Sequence, residues 1–232
     1  MNSIRDFDEQ GFINLIESLS EKKFRAKQLF QWIHQKGISS YDEMSNLPKP
    51  LLLKLEERFI VNPLEVVKRS VSKNDGTEKV LFSLPDGELI ETVVMKYRYG
   101  NSICISTQVG CRMGCKFCAS TIGGLKRNLT AGEMLSQVYE SNKNLDDRIN
   151  HIVLMGSGEP LENYNEVVRF LRLINHPLGY NLSLRNITLS TCGLVNQIRK
   201  LADENLPITL AISLHGATDE VRERVMPINK KY

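Results

Sequence analysis

The chain has 232 residues, of which 41% are hydrophobic and 25% are charged, and its formal net charge is +3. This composition is typical of a globular protein with one large domain, or with a medium-sized domain and a smaller one. No apolar run approaches the roughly 20 residues of a membrane span, and the charged start of the chain lacks the apolar stretch of a signal peptide. We therefore expect a cytoplasmic protein without a membrane contact, and the small net charge does not itself indicate nucleic acid.

The first part of the chain has apolar residues at helical spacing. They predict three helices, the third between Pro50 and Phe59, with these residues facing inward: Phe12, Leu15, Ile16, Leu19, Ala26, Leu29, Phe30, Ile33, Leu52, Leu55 and Phe59. We interpret residues 1–62 as a small helical accessory module. Its second helix begins among four basic residues, Lys22, Lys23, Arg25 and Lys27, which fit either a solvated face or an RNA-contacting surface.

The pattern then changes to β. Residues 63–103 contain the runs VVKRSVS, EKVLFSL and LIETVVM and the start of NSICIST, and Asp86-Gly87 is a hairpin-turn pair. We expect a β-strand linker region with a hairpin that leads into the core.

Residues 104–232 alternate between strands and helices. Thr130 and Glu133 form a capping-box pattern that opens a helix. Short apolar runs at 103–107, 151–155, 186–190 and 208–214 are separated by helical stretches, which predicts four parallel strands with crossover helices. The fold class is therefore α/β.

Three cysteines, Cys111, Cys115 and Cys118, follow the first of these strands at CxxxCxxC spacing. Three thiolates on a 4Fe–4S cluster leave one iron free for an outside ligand, which is typical of a site that binds S-adenosylmethionine (SAM). The alternative, structural zinc, requires a fourth Cys or His nearby, and the sequence has none close by. Phe117 fits either an aromatic cover for the cluster or a core residue.

A glycine-rich loop, GSGEP, follows the second parallel strand. Gly156 and Gly158 allow a close approach of the backbone to a ligand, and Glu159 can accept a hydrogen bond from an ammonium group. The loop lacks the lysine of a phosphate-binding loop, and a plain turn is the alternative. Because the carboxyl ends of parallel strands meet at one edge, we expect this loop beside the cysteines.

Polar residues also follow the last two strands. Ser190 ends the third strand, and Ser213, Leu214 and His215 end the fourth, where each can contact a ribose or a carboxylate. A structural role is the alternative for His215. We interpret Cys192 as a small buried residue.

With these residues identified, the chain resembles the RlmN family, radical SAM enzymes that methylate carbon 2 of an adenine in 23S rRNA and in some tRNAs. The resemblance depends on the ordered strings IETVVM, CISTQVGCRMGCKFC, GGLKRNLT, GSGEPLENY, ITLSTCG and ISLHGATDEVRERVMPINKKY. It implies a partial (βα) radical SAM barrel, of which residues 104–232 are the N-terminal part. It also implies a single-chain protein that receives electrons from a donor such as flavodoxin.

The resemblance implies a role for individual residues. It assigns the three cysteines to the 4Fe–4S cluster and assigns to SAM the residues Gly158, Glu159, Ser190, Ser213, Leu214 and His215. It also identifies Glu91 as the acceptor of the adenine ring proton and Cys104 as the resolving cysteine of a methyl-cysteine intermediate. From the residues alone, Glu91 is an exposed strand carboxylate and Cys104 a small buried strand residue.

One family feature has no counterpart in the sequence. Relatives continue beyond the final PINKKY, and their methyl-carrying cysteine lies in that continuation. We therefore expect an incomplete barrel with an uncovered strand edge, poor SAM binding and no completed methyl transfer by these 232 residues.

Other functions remain open. A Cfr-type enzyme, which methylates carbon 8 of the same adenine, shares most of these motifs, although GEPL favours carbon 2 because Cfr-type relatives often carry GEAL. An electron-transfer protein would need four cluster ligands. A non-catalytic RNA-binding fragment would use the helical module together with Lys126 and Arg127.

Overall fold

The computed structural model describes residues 2–232. The helices of this range are α1 (Glu9–Ser18), α2 (Phe24–Phe30), α3 (Lys49–Glu56), α4 (Ala131–Asn142), α5 (Tyr164–Asn175), α6 (Val195–Asp203) and α7 (Asp219–Val225). The strands are β1 (Asn2–Ser3), β2 (Phe59–Ile60), β3 (Glu65–Val71), β4 (Glu78–Ser83), β5 (Leu89–Tyr97), β6 (Gly100–Cys104), β7 (Gln108–Gly110), β8 (Leu125–Asn128), β9 (Ile149–Leu154), β10 (Ile187–Thr191) and β11 (Thr209–Ile212).

The predicted N-terminal helices are present, with two local differences. Helix α2 continues into a π-helical turn, Gln31–Gln35, and the chain reverses at Gly37, whose φ is +61°. Helix α3 ends before Phe59, because that residue belongs to β2, which pairs in parallel with β1. Two strands of two residues each are too short to produce an alternating pattern, so the sequence did not reveal them.

Arg5 connects the N-terminal helices to the rest of the molecule. Its side chain is fully buried, and its guanidinium donates to the carbonyl oxygen of Ile38 (2.6 Å), the hydroxyl of Ser136 (2.8 Å) and the carboxylate of Glu140 (2.9 Å). A buried charge is tolerated only when it is paired and hydrogen-bonded. Since Ser136 and Glu140 both belong to α4, this network fixes the N-terminal segment against that helix.

His34 makes a second, neutral connection between the N-terminal helices and α4. One ring nitrogen lies 3.2 Å from the hydroxyl of Tyr139, the other lies 2.9 Å from the carbonyl oxygen of Phe7, and the residue is fully buried. Burial lowers the pKa of His34 to about 3. The folded protein therefore keeps this ring neutral throughout the physiological range.

This neutral histidine predicts a loss of stability in mild acid. An unfolded histidine titrates near pH 6.5, so the unfolded state binds a proton that the folded state does not between about pH 6.5 and pH 3. Stability is therefore complete above pH 6.5 and falls as the pH is lowered, by about 2 kcal/mol between pH 7.5 and pH 5.0. Urea unfolding of wild type and His34→Gln at these two pH values measures the effect. We expect His34→Gln to have the smaller pH dependence. The control is His151→Gln, because His151 is only half-buried. Equal pH dependence in wild type and His34→Gln would contradict this account.

The central sheet has seven strands in the order β11-β10-β9-β6-β5-β4-β3. Strands β6, β9, β10 and β11 are parallel, whereas β3, β4, β5 and β6 pair antiparallel. The four predicted parallel strands and the α/β class are thus confirmed. The hairpin is also present, since β4 and β5 are joined through Asp86 and Gly87, where Gly87 has a φ of +83°.

The two faces of this sheet have different environments. Ile90, Thr92, Val94, Ile103 and Ile152 point to one face and are at most 2% exposed, because this face packs with buried residues of α4 and α5 in one core. The alternate residues point to the other face, which we call the open face: Lys79, Leu81, Glu91, Val93, Met95, Tyr97, Cys104, His151, Val153 and Met155. All of these open-face residues are exposed or half-buried.

The sheet does not close into a barrel within residues 2–232. Strand β11 is an edge strand, and Leu210, Ile212 and Leu214 are 37%, 51% and 60% exposed. The partial radical SAM barrel predicted from the sequence agrees with this arrangement. None of the helices in the described range combines the length and the apolar character of a membrane span.

Candidate radical SAM site

A cleft of about 280 Å³ lies at the carboxyl ends of the parallel strands. It brings together seven of the eleven predicted site residues: Cys111, Cys115, Cys118, Gly158, Glu159, Ser190 and Ser213. The sequence placed these residues after four different strands, and parallel pairing brings those strand ends to one edge. A larger cavity of about 550 Å³ lies between α1 and the outer surfaces of α5 and α6, and no cysteine lines it.

The three cysteines lie in the loop between β7 and β8. Cys111 and Cys115 are buried and Cys118 is half-buried, and burial raises the pKa of the Cys111 thiol to about 11. The hydroxyl of Thr121 donates to the carbonyl oxygen of Cys118 (3.0 Å), and the amide of Lys116 donates to the carbonyl oxygen of Val225 (2.9 Å). The loop is therefore held from within and by the end of α7.

The arrangement of these thiols fits a cluster. No group of three His, Cys, Asp or Glu side chains in residues 2–232 converges as closely as a single metal ion requires. The three thiols instead line one cleft together. Thiolates of an iron–sulfur cluster bind separate irons and need not meet at one point. The donor set, three thiols and no fourth cysteine of the motif, is suited to a cluster with one open iron.

Two glycines bring the GSGEP loop against the segment after β6. A Cβ atom on Gly156 would lie 2.7 Å from the carbonyl oxygen of Ile105. A Cβ atom on Gly158, where φ is +105°, would lie 2.5 Å from the Cβ of Gln108. Only glycine permits this approach and this backbone conformation. The loop therefore packs closely on this segment, beside the cysteines.

Glu159 is buried and connects two loops of the cleft. One carboxylate oxygen accepts from the amide of Leu161 (3.0 Å) and the other accepts from the amide of Cys192 (2.8 Å). Each oxygen keeps a further lone pair, so the carboxylate can still accept from a ligand ammonium group. The two amide bonds fix its position before any ligand arrives.

Gln108 is a residue of the site to which the sequence analysis gave no role. Its side-chain oxygen accepts from the amide of Glu159 (2.8 Å), and its nitrogen donates to Asn128 (2.8 Å) and to Glu162 (3.1 Å). Glu162 in turn pairs with Arg112 of the cysteine loop (2.5 Å). Gln108 lies within the string TQVGC, but a buried glutamine has no periodic signal that would reveal such a network.

Arg222 on α7 connects the ends of β10 and β11, and the sequence analysis did not identify it. Its guanidinium donates to the carbonyl oxygens of Cys192 (2.6 Å) and Leu214 (3.2 Å) and to the side chain of Asn229 (2.5 Å). At the same two strand ends, the hydroxyls of Ser190 and Ser213 lie 3.4 Å apart. Arg222 thus helps to set the spacing of two predicted SAM-contacting residues.

Four predicted residues lie outside the lining of the cleft: Glu91, Cys104, Leu214 and His215. Leu214 and His215 follow β11 and are exposed, and the ring of His215 lies 4.5 Å from that of Phe117. Phe117 itself lines the cleft and is 56% exposed, so it is not a core residue. Cys192, interpreted as a small buried residue, is buried and also lines the cleft.

Glu91 and Cys104 both lie on the open face of the sheet. Cys104 is opposite Val93, and Glu91 is two residues along β5, which places the two diagonally, about 7–8 Å apart at Cα. The Glu91 carboxylate pairs with Lys79 (2.9 Å), both side chains being more than half exposed. Burial raises the pKa of the Cys104 thiol. The structure thus brings these two residues together, beside the strand that leads to the cysteine loop.

The open parallel sheet and the three cysteines of the CxxxCxxC motif in one cleft beside a glycine loop define a radical SAM protein. The Radical SAM superfamily model matches residues 105–231, and the model of the ribosomal RNA large subunit methyltransferase N-terminal domain matches residues 2–61. The chain belongs to the RlmN family of radical SAM RNA methyltransferases. Membership of this superfamily implies SAM and an iron–sulfur cluster as cofactors.

Individual relatives support this assignment. The chain is 54% identical to the probable dual-specificity RNA methyltransferase RlmN of Clostridium novyi over 232 residues, which are 100% of this chain and 68% of the relative. It is 53% identical to the protein of the same name from Clostridium perfringens, covering 67% of it. A radical SAM methyltransferase from Sphaerobacter thermophilus has a crystal structure that matches with a TM-score of 0.96 at 38% identity, over 100% of this chain and 69% of that one.

Proposed function

We propose that this protein takes part in methylation of carbon 2 of adenine in 23S rRNA and in tRNA, in the cytoplasm. The observation that supports this most directly is the cleft, which gathers three cysteines, the GSGEP loop and the ends of β10 and β11. The sequence GEPL favours carbon 2 over carbon 8. The substrates are the two RNA classes implied by the family, and we propose a single-chain protein served by a one-electron donor such as flavodoxin.

The residues proposed to bind the cofactors divide into two groups. Cys111, Cys115 and Cys118 would hold the cluster. The second group would bind SAM: Gly158, Glu159, Ser190, Ser213, Leu214 and His215. With SAM bound, such a cluster would supply a 5′-deoxyadenosyl radical. This chemistry is needed because carbon 2 of adenine has no lone pair with which to attack a methyl donor.

Two residues on the open face would complete the chemistry on the RNA. Glu91 would accept the proton lost from carbon 2, and its exposed position leaves it accessible to a nucleobase of the RNA. Cys104 would form the disulfide that releases the product from a methyl-carrying cysteine. Lys79, paired with Glu91, keeps that carboxylate oriented on the open face. We further propose that residues 1–62 contact RNA, that residues 63–103 link this module to the core, and that residues 104–232 carry the cofactors.

A gene deletion tests the position of methylation. We expect loss of the encoding gene to remove 2-methyladenosine from 23S rRNA and tRNA, as measured by mass mapping of methyladenosine isomers, and complementation to restore it. Loss of 8-methyladenosine instead would favour the Cfr-type activity. Unchanged methylation of both positions would contradict the proposal.

A second test of the proposed function uses the 232 residues by themselves. Of their five cysteines, three are the proposed ligands, Cys104 is the proposed resolving cysteine and Cys192 is buried, so no exposed cysteine is left for the methyl-carrying role. We expect these residues to bind SAM poorly and to leave an rRNA fragment unmethylated under anaerobic, reducing conditions. Detection of methyladenosine in that reaction would contradict this expectation.

A further inference from the structure

The open face extends along β5 well beyond Glu91 and Cys104. Glu91, Val93, Met95 and Tyr97 follow one another along this face at every second residue; Glu91 and Tyr97 are exposed, and Val93 and Met95 are half-buried. At about 3.4 Å per residue, Tyr97 lies roughly 20 Å from Glu91. The proposed reaction site and the far end of β5 therefore share one accessible surface.

An exposed aromatic pair stands at that far end. The rings of Tyr97 and Tyr99 are stacked, with centroids 4.9 Å apart and planes within 8°, and the residues are 46% and 64% exposed. The ring of His151 meets Tyr99 edge-on at 5.2 Å. Since Tyr99 is in contact with both Tyr97 and His151, the outer ring face of Tyr97 is the one available to a further flat group.

Positive charge lies beside this pair. Arg98, between the two tyrosines, is exposed and forms no ion pair among the residues that the structure describes. Lys96 is also exposed, but it alternates with Met95 and Tyr97 along β5 and therefore points to the opposite face. The neighbouring turn contributes Asp75, whose carboxylate already accepts from the amide and the hydroxyl of Thr77. Stacked rings beside a free cation suit a chain of bases joined by phosphates.

We propose that Tyr97 and Tyr99, with Arg98, form a docking surface for single-stranded RNA on the open face, roughly 20 Å along β5 from the target adenine. A base stacks on the tyrosine pair, and Arg98 contacts a phosphate. A strand lying along β5 then connects this surface to the nucleotide at Glu91 and Cys104. The proposal rests on the proposed function in that RNA is the substrate.

Equilibrium binding of an unstructured adenine-rich RNA oligonucleotide tests the stacking contribution. We expect Tyr97→Ala with Tyr99→Ala to weaken binding at least fivefold without changing its salt dependence, because stacking is not electrostatic. The double variant Tyr97→Phe with Tyr99→Phe retains the rings and is expected to bind like wild type. Both tyrosines are exposed, and thermal unfolding of each variant verifies that the fold is intact.

A charge variant tests the phosphate contacts. We expect Arg98→Gln to reduce the slope of log affinity against log salt concentration by about 0.7, the value for one phosphate contact on a single strand. Arg199→Gln on α6 is the matched control, since Arg199 is also exposed and lies on the helical side. Equal affinity of the tyrosine-to-alanine variant and wild type would overturn the proposal, as would an absence of RNA binding by wild type. Failure to assemble a cluster, with RNA binding intact, would count only against the proposed function.

Discussion

Replacement of Cys115 by alanine is expected to leave the anaerobically reconstituted protein without an iron–sulfur cluster. Cys115 is the central cysteine of the motif and lines the cleft together with Cys111 and Cys118. Because only three protein thiolates would hold the cluster, we expect that the two remaining in the variant cannot retain it. We expect iron per chain and the visible absorption of the cluster to fall at least tenfold.

Cys192→Ala is the matched control for this experiment. Cys192 and Cys115 line the same cleft and are 7% and 8% exposed, so both substitutions remove a buried thiol from the same place. Only Cys115 belongs to the motif, and we therefore expect Cys192→Ala to retain its iron. Equal iron in the two variants would contradict the assignment of the ligands. Bound zinc in the wild-type protein would contradict the cluster itself.

The sequence predicted the parallel sheet because its strands are short apolar runs separated by amphipathic helices. Parallel pairing then brought the ends of β6, β9, β10 and β11 to one edge, which is why Cys111, Glu159, Ser190 and Ser213 share a cleft. This prediction needs only the hydrophobic pattern of the sequence and the direction of the strands. The same reasoning did not position Glu91 and Cys104, whose roles came from family resemblance alone.

The residues that the sequence did not reveal act through backbone contacts. Arg222 binds carbonyl oxygens of Cys192 and Leu214, and Gln108 binds the amide of Glu159. Backbone partners leave no complementary residue type in the sequence, so neither pair produces a readable pattern. Arg5 was missed for a different reason: it looks like an ordinary surface arginine in the sequence, and its side-chain partners Ser136 and Glu140 lie more than 130 residues further along the chain.

Gly158→Ala is expected to be the most damaging single-methyl substitution in the GSGEP loop. The residue has a φ of +105°, and an added Cβ would lie 2.5 Å from the Cβ and 2.8 Å from the backbone nitrogen of Gln108. Backbone strain costs about 1–3 kcal/mol and overpacking a further 1–3 kcal/mol. We expect a loss of about 2–6 kcal/mol in the free energy of unfolding, measured with urea.

Gly87→Ala separates the two causes of this loss. Gly87 also has a positive φ, +83°, but an added Cβ there would meet no atom within 4 Å. Its substitution therefore reports backbone strain alone, about 1–2 kcal/mol. If Gly158→Ala lowers the free energy of unfolding no more than Gly87→Ala does, the loop accommodates the added methyl group without further strain. The close contact would then not hold Gln108 and Glu159 in place. A larger cost at Gly158 would mean that the close contact between the two loops, and not conformation alone, keeps this wall of the cleft formed before a ligand binds.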